Sequence, residues 1–173
     1  MRVLMVCLGN ICRSPTAEAA LREALAEAGL DGAVEVDSAG TGSWHIGDPP
    51  DQRMTAAAAD VGLELSGAAR RVTVADFDRF DLILAMDGSN EADLLELAPD
   101  GPSRAKVRRF REFEAAADGP DVPDPYYGGA DGFAHVVASA RAGARGVVEH
   151  IRGTQGVGED ALPRRGRGRR RPG

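Results

Sequence analysis

The first thirty residues constrain the fold more than any other part of the chain. Arg2 to Val6 is a short apolar run that reads as a buried strand, and a Gly-containing turn, Cys7 to Arg13, follows it at once. Ser14 reads as a helix N-cap and Pro15 as the first helical residue. Ala17, Ala20, Leu21, Ala24, Leu25 and Ala28 then recur at helical spacing until Gly29. Strand, loop and helix in immediate succession place the loop beyond the carboxyl end of a strand, where open α/β sheets bind ligands.

Further strands are predicted at Val34 to Asp37, at Leu82 to Met86 and, shorter, at Lys106 to Phe110. Helices are predicted over 51–61, over Ser89 to Leu97 with Ser89 as cap, and along the stripe Phe133, Val136, Val137, Ala140, Ala144, Val147, Val148 and Ile151. Strands alternating with helices predict an α/β fold: a single-domain, doubly wound parallel sheet of about four strands, helices on both faces, and a phosphate-binding loop after the first strand. Asp118 to Gly132 is dense in Pro, Asp, Gly and Tyr and reads as a long loop. The apolar period stops at Gly153, so the expected domain is 1–152, followed by an unstructured Arg-rich tail over 153–173.

A chain of 173 residues, 43% hydrophobic and 28% charged, supports one soluble core, and no apolar run reaches bilayer length. The net charge of -6 hides an asymmetry: the tail carries six Arg against two acids, a surplus of four, which leaves -10 on residues 1–152. A body so acidic is not expected to bind nucleic acid. The two cysteines, Cys7 and Cys12, are too few and too close for a disulfide framework, and the N-terminus lacks a signal-peptide apolar region, so a cytoplasmic location is expected. His45, His135 and His150 are scattered without ligand spacing, and no metal site is expected.

The chemistry concentrates in CLGNICRSP. Gly9 and Asn10 stand where a tight curl demands unusual backbone angles. A loop that turns its amides inward forms a nest for a dianion, and Arg13 can fork two N–H groups onto phosphate oxygens. The same positive field favours a thiolate at Cys7, the nucleophilic form, without a histidine. Ser14 is suited to donate to that sulfur as well as to cap the helix. A phosphate ester also needs an acid for its departing oxygen. Asp124 in VPDPYYGG is the candidate and Asp121 its rival, with Tyr126 and Tyr127 as aromatic walls. Asp87 reads as the cap of the helix that follows it, with Arg13 as the other partner open to it. Trp44, on a loop rather than a stripe, reads as a substrate contact.

CLGNICRSPTAEA, DSAGT at 37–41, MDGSN at 86–90 and DPYYGG at 124–129 together resemble the low-molecular-weight protein tyrosine phosphatase family. The resemblance implies hydrolysis of phosphotyrosine and aryl phosphates, with Cys7 forming a phosphocysteine, Arg13 binding the phosphoryl group, and Asp124 acting as acid and then as base. It implies that Asn10, Ser14 and Ser38 hold the loop. Leu8, Ile11, Trp44, Tyr126 and Tyr127 would line the crevice, together with Gly9 and Cys12 of the loop itself. Cys12 would pair reversibly with Cys7 under oxidant. No metal or organic cofactor is implied, and the implied partners are tyrosine-phosphorylated proteins, with no membrane. Many relatives carry His where this chain has Ala68 and Ala69, which leaves open what completes the loop's hydrogen-bond network.

Three other readings remain at this point. Thiol-relay arsenate reductases share the loop but need further cysteines that this chain lacks. A protein-arginine phosphatase on the same scaffold is disfavoured by Ile11 and the Tyr126, Tyr127 pair. A non-catalytic phosphopeptide-binding module would need neither the thiol nor the acid.

Overall fold

The computed structural model describes residues 1–156. Four parallel strands, β1 (Arg2–Cys7), β2 (Glu35–Gly40), β3 (Leu82–Ala85) and β4 (Val107–Arg109), lie in the order β2-β1-β3-β4. The strand order reverses beside β1, so the loop after it opens into the crevice. Val3 to Val6 are wholly buried, as a central strand covered on both faces requires. Side chains of β1 alternate between two cores. Val3, Met5 and Cys7 face helices α1 (Arg13–Glu27), α2 (Gln52–Ala59) and α6 (Ala130–Gly156), while Leu4 and Val6 face α3 (Ala75–Arg79) and α4 (Gly88–Leu97). Each such side chain contributes about 1.5–3 kcal/mol. A short helix, α5 (Gly101–Ala105), precedes β4, and a 3-10 turn follows it over Phe110–Phe113.

The expected α/β architecture is the one found, with differences at element ends. Ser14 is not the cap of α1: the helix begins at Arg13, Cys12 occupies the cap position without a side-chain bond, and the Ser14 hydroxyl is engaged elsewhere. Asp87, not Ser89, caps α4 by accepting from the Asn90 amide at 2.7 Å. Helix α6 starts at Ala130, three residues before the apolar stripe, because Asp131 in its first turn suits the positive end of the helix. It runs to Gly156, so the first four residues of the expected tail are helical, and the remainder lies outside the described residues. Helices α3 and α5 are too short to carry a period and were not expected. Among the described residues no helix is long and apolar enough to cross a membrane.

Glycine lets α6 approach the end of β4. A Cβ at Gly143 would stand 2.4 Å from the Phe110 ring, and one at Gly146 only 1.7 Å from the carbonyl oxygen of Phe113. Alanine gains about 1 kcal/mol of helix propensity over glycine, but backbone cannot yield as a side-chain tip can. Gly146→Ala is therefore expected to lower stability by about 1–3 kcal/mol; a urea midpoint equal to or above wild type would contradict this packing.

Candidate active site

The strand-to-helix loop is cupped. Asn10, at φ 57°, is the one non-glycine residue with positive φ among the described residues, a conformation that asparagine tolerates better than most. The loop's carbonyls are tied outward: Cys7 O accepts from Thr41 N, Leu8 O from Gly42 N, Ile11 O from Asp51 N, and Cys12 O from Thr16. Among the described residues no acceptor is bonded to the amides of Leu8, Gly9, Ile11 or Cys12. The approach of β2 depends on Gly40, where a Cβ would lie 2.6 Å from the Leu8 carbonyl oxygen.

Behind the cup lies a buried network. The Asn10 amide donates to Cys7 Sγ at 3.2 Å, and Asn10 Nδ2 donates to Ser14 Oγ (2.8 Å) and Ser38 Oγ (3.0 Å). Because Ser14 Oγ accepts from Asn10, its own proton is free for Cys7 Sγ, 3.0 Å away, which is closer than Ala39 O at 3.4 Å. Ser38 Oγ donates to Glu18 at 2.6 Å, and Asn10 Oδ1 accepts from the Arg70 amide at 3.0 Å. The Arg70 side chain in turn spans Asp76 and Asp37. No histidine is needed to complete this network: Glu18 and the Arg70 backbone do so.

Arg13 is 3% exposed. Its Nη1 donates to Asp87 Oδ2 at 2.6 Å and to the Val122 carbonyl at 3.1 Å, and its Nη2 to Asp124 Oδ2 at 3.3 Å. Burial works against this cation and is outweighed by Cys7, Asp87 and Asp124, so its pKa is raised. Asp87 therefore does both things considered for it. Asp121 does not face the cup: it accepts from Gly88 N and Arg109 instead.

Cys7, Arg13 and Asp124 line one cleft of about 300 Å³, and so do Leu8, Gly9, Ile11, Cys12, Trp44, Tyr126 and Tyr127. Asn10, Ser14 and Ser38 stand behind it. Tyr126 and Tyr127 meet edge to face at 4.9 Å, and Trp44 lies over Gly42, whose missing Cβ leaves it room.

The family model for low molecular weight phosphotyrosine protein phosphatase matches residues 2–156. The chain is 46% identical over 153 residues to the low molecular weight protein-tyrosine-phosphatase of Streptomyces coelicolor, covering 87% of this chain and 93% of that protein. The chain belongs to the low molecular weight phosphotyrosine protein phosphatase family. Its structure matches that of a protein tyrosine phosphatase from Entamoeba histolytica with a TM-score of 0.85 at 36% identity, over 91% of this chain and 99% of that one. It matches YfkJ from Bacillus subtilis with a TM-score of 0.83 at 38% identity, over 90% and 96%.

Sequence reasoning missed three contributors to this phosphatase-family site. His45 lines the cleft and packs against Gly9, where a Cβ would stand 3.1 Å from the ring. Arg53 lies over the Tyr126 ring and donates to its carbonyl at 3.0 Å. Neither leaves a local signal. Glu18 did leave one: it follows Ser14 by four positions and so shares its helix face.

Cys12 is a buried thiol of this family's loop. Burial first, and then the Asp51 carboxylate and Cys7, push Cys12 from 9.0 up to about 12. The unfolded chain releases this proton near the ordinary value, so above about pH 9 the unfolded state gains and stability falls, by up to about 1.4 kcal/mol per pH unit. Cys12→Ala lacks this loss, and its urea midpoint is expected to fall less steeply than wild type between pH 9 and 11. Parallel curves would contradict the shift.

Proposed function

We propose that the chain is a protein tyrosine phosphatase that hydrolyses phosphotyrosine and other aryl phosphate monoesters through a phosphocysteine intermediate. The supporting observation is convergence: a sulfur, a buried guanidinium and a partly exposed carboxyl group border one cleft, above loop amides without acceptors.

The Arg13 fork and the loop amides take the phosphoryl oxygens, where fixed donors act in a site shielded from water. A dianion that binds Arg13 takes the place of Asp124 at Nη2. The Cys7 thiolate attacks phosphorus in line, the P–O bond to the aryl oxygen breaks, and the Asp124 proton passes to the departing phenolate. Water then attacks the phosphocysteine, Asp124 takes a proton from it, and the P–S bond breaks to release phosphate. Ser14 Oγ–H stabilises the sulfur as it leaves. Leu8 and Ile11 with Trp44, Tyr126 and Tyr127 border the space for a phenyl ring, which favours phosphotyrosine over shorter phosphoesters. Tyrosine-phosphorylated proteins are the proposed partners and the cytoplasm the proposed location, since the nucleophile must stay reduced.

Peroxide would oxidise the Cys7 thiolate to a sulfenic acid with loss of hydroxide, and the Cys12 thiol would condense with it to a disulfide, releasing water. Added thiol would reverse this.

The test is a panel of phosphotyrosine, phosphoserine, phosphothreonine and phosphoarginine peptides. Wild type is expected to prefer phosphotyrosine. Cys7→Ser should abolish turnover while retaining vanadate, and Asp124→Asn should lose about 10²–10³-fold on phosphotyrosine. Equal rates on all four peptides, or turnover by Cys7→Ser, would overturn the reading; a preference for phosphoarginine would transfer it to that class.

A further inference from the structure

The proposed acid stands in a stretch, residues 114–129, that forms neither helix nor strand. Ordering such a stretch costs backbone entropy, yet a general acid serves only within hydrogen-bond reach of its proton acceptor. Something must hold the stretch, and the anchors trace back to the end of β4 and the turn after it.

Arg111, 3% exposed, is spent entirely on this stretch. Its guanidinium donates to both carboxylate oxygens of Glu114 (2.9 and 3.3 Å), to Asp118 Oδ1 (2.6 Å) and to the Asp121 carbonyl (2.9 Å). Ser139 of α6 donates to Glu114 Oε2 at 2.7 Å and fixes the base of the assembly. Two positions earlier, Arg109 donates to Asp121 Oδ1 at 2.9 Å and to Glu91 of α4 at 2.5 Å, and the Gly88 amide reaches the same Asp121 oxygen at 3.0 Å. Val122 comes next, its amide on Met86 O (2.8 Å) and its carbonyl on Arg13 (3.1 Å). Beyond it, Arg53 holds the Tyr126 carbonyl. Only residues 123–125 lie between those two fixed points, and Asp124 is the middle one.

We propose that Arg111, seconded by Arg109, is a positioning residue for the general acid: by clamping Asp118 and Asp121 it reduces a long irregular stretch to a three-residue span that presents Asp124 to the leaving group. Asp121, the rival acid in the sequence, is an anchor of this clamp. The inference rests on Asp124 being the acid, and the test separates the two.

Phenyl phosphate needs protonation of its leaving oxygen, whereas p-nitrophenyl phosphate leaves with little help. The ratio of kcat/KM for the two esters therefore reads the acid alone. Asp124→Asn should shift this ratio against phenyl phosphate by about 10²-fold, and Arg111→Met by about tenfold with its vanadate affinity unchanged. Arg111→Met strands a buried carboxylate, so Arg111→Met with Glu114→Gln is measured beside it. Asp118→Asn, at an exposed side chain, should shift the ratio in the same direction by about threefold. A folded Arg111 variant whose two esters fall equally, or not at all, while Asp124→Asn discriminates, overturns the clamp alone. An Asp124→Asn enzyme that treats both esters alike overturns the acid assignment and the clamp with it.

Discussion

The site depends on one backbone choice, the left-handed turn at Asn10, which costs an L-residue about 1 kcal/mol or more. That turn brings the Asn10 amide back onto Cys7 Sγ and sends its side chain to Ser14, Ser38 and the Arg70 amide. The side chain holds the turn, and among the described residues the amides of Leu8, Gly9, Ile11 and Cys12 around it have no acceptor. Glycine would adopt the angle more easily but would leave Ser14 and Ser38 without their donor. Asparagine meets both needs, and its burial makes each bond hard to give up.

A second constraint is the buried Arg13. A guanidinium removed from water must be satisfied on every side, and its partners come from separate parts of the chain: Asp87 at the start of α4, Val122 and Asp124 after β4, and Cys7 close by. Satisfying one cation thus brings the Cys7 loop, a helix end and the loop that carries Asp124 together. The longest of these contacts, to Asp124 at 3.3 Å, is the one that the proposed mechanism gives up to a phosphate oxygen.

Much of this was legible in the chain. Strand, loop and helix at the N-terminus and a parallel sheet of about four strands follow from local apolar period and turn chemistry, and Cys7 and Arg13 on one cleft from the ligand-binding end of such sheets; Asp124 had Asp121 as a rival, and the family resemblance favoured it. Ser14 was legible in one of its two expected roles: its hydroxyl lies on Cys7 and Asn10, as a donor to the sulfur would, but it does not cap the helix, which begins at Arg13. Asp131 and Gly132 read as loop by composition, although an aspartate at a helix start is favourable.

Local periodicity by itself determined the layers of this protein, because burial of an apolar stripe depends on spacing along the chain and on little else. It also determined where the Cys7 loop sits, because a cysteine between a buried strand and a helix N-terminus has few places to go. Only the tertiary structure decided which partners surround Arg13, that Arg70 and Glu18 complete the network of Asn10, and that His45 and Arg53 border the cleft. These are contacts between residues far apart in the chain, set by how the layers stack, and except for the helix face that Glu18 shares with Ser14 no spacing in the chain encodes them.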